Sequence, residues 1–223
     1  MTDHQTTSTD TPDGPCIWMS SVQTSSTHQK SWLTTDLPDE RTSILTQHLS
    51  KLLQRSERSE PVDIEEYPSE FYEPRSQEPY QYPNTLHLFK AGPLFVSPES
   101  ASVIRDFDIA PGFLKPVTLY KSDKTTIFSE GFCILYIGVK KNAFLPELSE
   151  GARDVWKGEL WATTPNPSLQ VTRFSEAALS GADIWRDERI LSKFFISDRL
   201  YRALESQGLA KDWDLTRCPV VLS

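Results

Sequence analysis

The sequence predicts an α+β fold: a single mixed domain with a mostly antiparallel sheet, two strand–Ser-cap–helix units and a partly flexible N-terminal head. Three observations predict it. Short β-branched and aromatic runs recur from Leu86 onward, too numerous and too unevenly interrupted for a regular βαβ series. An apolar strand, a serine and a helix start follow one another at Leu94-Phe95-Val96-Ser97-Pro98-Glu99. The same order returns one hundred residues later at Phe194-Phe195-Ile196-Ser197-Asp198-Arg199. Finally, residues 1–35 are rich in Ser, Thr, Asp and Gln, and such a segment buries too little surface to offset its ordering entropy.

Taken in order, the chain divides into a mostly flexible segment over 1–35, a helix plus an acidic Pro/Tyr-rich connection over 36–85, and an α+β domain over 86–223. In the first, apolar content gathers only around Ile17-Trp18-Met19, where Trp18 can anchor the chain locally. Pro38-Asp39-Glu40 opens the helix. Its apolar positions Ile44, Leu45, Leu49, Leu52 and Leu53 form one stripe, and His48 on that stripe reads as a core-edge histidine. Residues 61–83 then change character. Five prolines preclude an ordinary helix or a central strand, and six carboxylates alternate with Ile64, Tyr67, Phe71, Tyr72, Tyr80 and Tyr82. They read either as an extended solvated connection or as an acidic, aromatic contact surface.

From Leu86 the expected strands are 86–89, 94–96, 117–120, 125–128, 132–139, 160–163 and 169–174, with a turn cluster at Thr164-Pro165-Asn166-Pro167-Ser168. The run Phe132-Cys133-Ile134-Leu135-Tyr136-Ile137 is the most apolar and reads as a central strand, with Cys133 a small core residue. Ser97 caps a helix with Pro98 at its first position, where the missing N–H costs nothing. In the second copy Ser197 is the cap and Asp198 meets the positive end of the helix dipole. Leu200, Tyr201 and Leu204 share one face, and Gly208 ends the helix because it tolerates the left-handed conformation. A returning strand follows around Pro219-Val220.

The formal charge of −8 is unevenly spread. Residues 1–60 hold eight acids and five bases, 61–80 six acids and one base, and 81–223 seventeen of each. The net charge therefore lies in the first eighty residues, which disfavours nucleic acid and favours a basic partner. No apolar run is long enough to cross a bilayer, and no secretory signal is visible. The three cysteines, Cys16, Cys133 and Cys218, have no ligand-like spacing and read as free thiols in a reducing compartment, the cytoplasm.

No motif carries chemistry. There is no Gly-rich phosphate cradle, GxSxG elbow or HExxH, and the histidines His4, His28, His48 and His87 are scattered, so neither a cofactor nor a metal is expected. Glu65 with Glu66, or Glu70 with Glu73, could be drawn as paired carboxylates, but general acid–base work needs held geometry. In Trp185-Arg186-Asp187-Glu188-Arg189, Arg186 either clamps an anion or joins Asp183 and Asp187 in an ion-pair network. The network is favoured because the cluster leads into a core strand.

The segment Ala182-Asp183-Ile184-Trp185-Arg186, followed by Phe194-Phe195-Ile196-Ser197-Asp198, Leu200, Leu204, Gly208-Leu209 and Pro219-Val220, resembles the C-terminal signature of a bacterial immunity-protein family. That family belongs to polymorphic and contact-dependent toxin systems and was first catalogued from a myxobacterial protein. Trp185, Arg186, Phe195, Ser197 and Gly208 carry the motif, and Pro93-Leu94-Phe95-Val96-Ser97 is similar to the family's earlier strand–Ser element. The resemblance covers roughly residues 86–221. Trp185 stands where Phe is usual, and Ala210-Lys211-Asp212-Trp213 replaces an expected second glycine. The resemblance implies a cytoplasmic antidote that binds a cognate toxin and blocks it without catalysis.

No toxin-contact residues transfer from the family. The acidic, aromatic stretch supplies the expected ones: Asp63, Glu65, Glu66, Tyr67, Glu70, Phe71, Tyr72 and Glu73, facing a toxin with a basic surface. Two other classes stay open: a hydrolase reversing a toxin's modification of its target, and an adaptor escorting a secreted effector.

Overall fold

A computed structural model of the chain describes residues 14–29, 39–73, 86–163 and 171–222, with the side chains of 39–46 left out. The expected turn at 164–168 and the rings of Tyr80 and Tyr82 lie outside the described residues. The elements begin with β1 (Cys16–Ser20), α1 (Asp39–Glu57), β2 (Glu70–Tyr72), β3 (Leu88–Lys90), β4 (Leu94–Val96), α2 (Pro98–Ile104), β5 (Phe113–Pro116), β6 (Thr118–Tyr120) and β7 (Ile127–Ser129). They continue with β8 (Cys133–Tyr136), β9 (Lys140–Lys141), β10 (Ala152–Trp156), β11 (Leu160–Thr163), β12 (Phe174–Ser175), β13 (Ile184–Asp187), β14 (Phe194–Ser197), α3 (Asp198–Ser206) and β15 (Leu215–Val221). The architecture is α+β and mostly antiparallel. Its strands form a six-stranded sheet (β12-β15-β1-β14-β13-β9), a four-stranded sheet (β3-β4-β8-β5), a three-stranded sheet (β2-β6-β7) and the hairpin β10-β11.

Both serine caps form as the sequence predicts. Ser97 Oγ accepts from Ser100 N–H at 3.2 Å, and Ser197 Oγ from Leu200 N–H at 3.2 Å. Gly208 takes φ +72° just beyond α3. The repeat goes deeper than these caps. In the four-stranded sheet, β4 and β5 both run antiparallel to β8, so they are parallel to each other and α2 crosses between them. In the six-stranded sheet, β14 and β15 both run antiparallel to β1, and α3 crosses between them. Each unit is thus a hairpin, a helix and a parallel strand with one foreign strand slotted in the middle. That strand is β8, later in the chain, in one unit, and β1, far earlier, in the other.

Side chains follow the same equivalence. Leu94 and Val96, like Phe194 and Ile196, point into a shared core with Ile104, Leu200 and Leu204, while Phe95 and Phe195 point to the opposite faces. His87 and Asp183, just before each hairpin, both touch the cap serine. Ser97 N–H donates to His87 O at 3.1 Å, and Ser197 N–H to Asp183 O at 2.9 Å. Their side chains meet the serine hydroxyls as well, at 2.9 Å and 2.5 Å.

Within residues 1–35, read from the sequence as mostly flexible, the described run 16–20 is ordered: β1 is an inner strand of the six-stranded sheet with Ile17 and Met19 buried. The polar average of the head hides a five-residue run that supplies the strand β14 and β15 need between them. His48 is exposed rather than at the core edge.

Candidate functional site

The acidic stretch is no loose linker. Asp63 Oδ1 accepts from Glu65 N–H and Glu66 Oε1 accepts from Asp63 N–H, both at 2.9 Å, which caps the single helical turn Ile64–Glu66 reciprocally. Arg55 of α1 clamps that turn, its guanidinium 2.6 Å and 3.2 Å from the two Glu66 oxygens and also donating to Pro61 O. The Arg55 bond holds the Glu66 carboxyl below the usual carboxylate range. From the other side the mostly buried Lys115 donates to Ile64 O at 2.8 Å and lies 3.6 Å from Glu65.

β2 then pairs parallel with β6, extended by Thr118 N–H to Ser69 O and Glu73 N–H to Tyr120 O. Tyr67 and Phe71, expected as contact residues, are buried: Tyr67 packs edge-on against Phe113 and Phe71 edge-on against Phe95. Their rings anchor the stretch and offer no area to a partner. Asp63 and Glu66 are engaged in the cap. Asp63, Glu65 and Glu70 are exposed, with Tyr72 and Glu73 half-buried beside them. Tyr72 stacks on Tyr120 and donates to Glu70 Oε2 at 2.7 Å, and that bond pushes its hydroxyl pKa up to about 12. Glu73 accepts from Ser122 N–H at 3.2 Å. The result is an acidic ridge with fixed spacing on a sheet edge.

Of the motif residues of the C-terminal unit, Trp185, Arg186 and Phe195 are buried, Ser197 is half-buried and Gly208 is exposed. Trp185 and Phe195 are fully buried and stack on each other, with Lys141 Nζ 3.6 Å above the indole. Burial lowers that lysine's pKa to about 8. Asp183 accepts from Ser197 Oγ–H and, bidentately, from Nε and Nη2 on one edge of the Arg199 guanidinium, at 2.6 Å and 2.5 Å. Arg186 does not join this network. It donates to Gln23 Oε1 at 2.7 Å and to Lys193 O at 3.2 Å, while Asp187 accepts from the backbone N–H groups of Ala143, Phe144 and Arg189. The expected ion pairing fails because Asp183 turns toward Arg199 and Asp187 toward a loop.

Cys16, Cys133 and Cys218 are buried free thiols, and Cys133 packs in the core as expected. Among the described residues, no group of three or more His, Cys, Asp or Glu side chains is placed to hold a metal, and no helix is long and apolar enough to cross a membrane. Neither Gln23 nor Lys193 was singled out from the sequence. Only the position of Lys193, directly before the β14 run, could have pointed to it. A comparison with protein-family models finds no match, and a comparison with curated proteins finds none either.

Proposed function

We propose that the chain is an immunity protein: a cytoplasmic antidote that occludes a cognate toxin by direct contact, without nucleic acid, membrane or cofactor. The observation that carries this reading is the acidic ridge. Glu65 and Glu70 face outward, with the half-buried Glu73 beside them, on short elements locked by Arg55, Lys115 and the β2–β6 pairing. Rigid outward carboxylates suit a basic protein surface, where complementary charge speeds encounter and fixes register. The resemblance of residues 182–220 to an immunity-protein signature supports the same reading.

Two experiments test it. Co-expression with the toxin encoded beside this chain's gene restores growth; arrest despite abundant folded antidote rejects the reading. Replacing Glu65, Glu70 and Glu73 by Gln slows association by roughly tenfold at low salt and flattens its salt dependence. Unchanged kinetics remove the ridge from the interface.

A second reading, a hydrolase that reverses a toxin's modification, draws on one observation: the cleft beside Arg186 that also holds Lys193 and Asp187. Turnover of a modified target by the purified chain would favour it.

A further inference from the structure

Arg186 is about as buried as a guanidinium can be, at 6% exposure, and it has no carboxylate partner among the described residues. Its Nη1 is satisfied by two neutral oxygens, and its Nε has no hydrogen-bond partner. Lys193 beside it, 5% exposed, donates among the described residues to the hydroxyls of Ser21 and Thr24, at 2.8 Å and 2.9 Å. Neither buried cation bonds a carboxylate directly; the charges of Glu57 near Arg186 and of Asp214 near Lys193 offset their desolvation only from a distance, and such an arrangement is expensive. Folding tolerates such an arrangement where something else supplies the negative charge.

A cleft of about 390 Å³ opens onto both groups, a size typical of small-molecule sites. Arg58 and Lys140, both exposed, stand at its rim. The acidic residues lining it make no direct bond to the buried pair, although the charge of Glu57 favours the Arg186 cation from a distance. Glu57 is paired with Lys90 at 3.0 Å, both oxygens of Asp187 accept backbone N–H groups, and Glu188 is exposed. We propose that this cleft binds a small oxyanion, a carboxylate or a phosphate, on the free Nε edge of Arg186 with Lys193 and Lys140 completing the charge. A guanidinium edge suits such a ligand because its donors match two oxygens of one oxyanion. The proposal does not depend on the antidote reading, since the cleft lies apart from the outward carboxylates of the ridge.

The test is thermal unfolding of the full chain titrated with sodium phosphate and, separately, sodium acetate, against sodium chloride at matched ionic strength. At least one oxyanion raises Tm saturably, by about 5–10 °C at roughly a hundredfold over half-saturation, while chloride does not. Response to phosphate alone identifies a phosphate site, and response to acetate alone a carboxylate site. Arg186→Met abolishes the response, read as the shift relative to its own anion-free Tm because the variant leaves the buried Gln23 Oε1 without its donor. Should that variant fail to fold, Lys140→Gln at the exposed rim decides: it weakens half-saturation about two- to fivefold. No saturable shift with either anion, or a shift that Arg186→Met leaves intact, overturns the proposal, as does unaltered half-saturation in Lys140→Gln.

Discussion

The two cap serines provide an internal control, because the same substitution meets different second partners. Ser197→Ala removes the acceptor for Leu200 N–H, an N-cap loss of about 1 kcal/mol. It also removes a 2.5 Å donor to the buried carboxylate of Asp183, a charge-assisted bond of about 1.5–3 kcal/mol. Allowing for overlap between the two, the total is about 3 kcal/mol. Ser97→Ala loses the same kind of cap, but its other partner is the His87 ring, a bond of about 1 kcal/mol, so the total is about 2 kcal/mol. Urea unfolding at 25 °C reads both, with unchanged m values showing that only the native state is altered. For a chain of this size the difference of about 1 kcal/mol corresponds to roughly 2–4 °C in Tm. Equal losses, or a larger loss at Ser97, would refute the assignment of the Ser197–Asp183 bond as the stronger one.

Three further outcomes are expected. Phe71→Ala destabilises by about 3–5 kcal/mol, since it empties a fully buried ring site, whereas Glu70→Gln on the same strand stays within about 0.5 kcal/mol; denaturant midpoints compare them. Two glycines separate steric from dihedral strain. A Cβ at Gly112 would lie 2.5 Å from Tyr136 O and 2.6 Å from Ile109 O, so Gly112→Ala costs at least about 3 kcal/mol, while Gly208→Ala, with open space but φ +72°, costs about 1 kcal/mol. Burial pushes the Cys218 thiol pKa up from 9.0 to about 12. A raised folded-state pKa means that its stabilisation is complete below pH 9 and is lost as pH climbs toward 12. Unfolding midpoints therefore fall across that window, and Cys218→Ala lessens the fall.

Local grammar made the two helical units readable: Ser97 with Pro98, Ser197 with Asp198, and the stop at Gly208 each act within a few residues of themselves. The strands 94–96 and 160–163 were equally plain. Elements whose reason lies elsewhere in the chain were not. Cys16–Ser20 is a strand because β14 and β15 leave a slot for it, and nothing near residue 16 announces that slot. Tyr67 and Phe71 looked like contact rings until their neighbours, Phe113 and Phe95, were in place. The cleft at Arg186 is further from local legibility, since Glu57, Lys140 and Lys193 reach it from three separate regions. The ridge itself was visible as composition; its outward half was not, because which carboxylates are engaged depends on Arg55 and Ser122.

The borrowed middle strand sets a timetable for synthesis. The strands β3, β4, β5 and β8 can all pair once residue 136 has emerged, whereas residues 16–20 wait for residues 194–221 before either edge of that early strand finds its neighbour. Closure across so long a span is slow and leaves Ile17 and Met19 uncovered meanwhile. Grafting residues 14–29 behind residue 222 would convert the permuted halves into a head-to-tail array and shorten that wait.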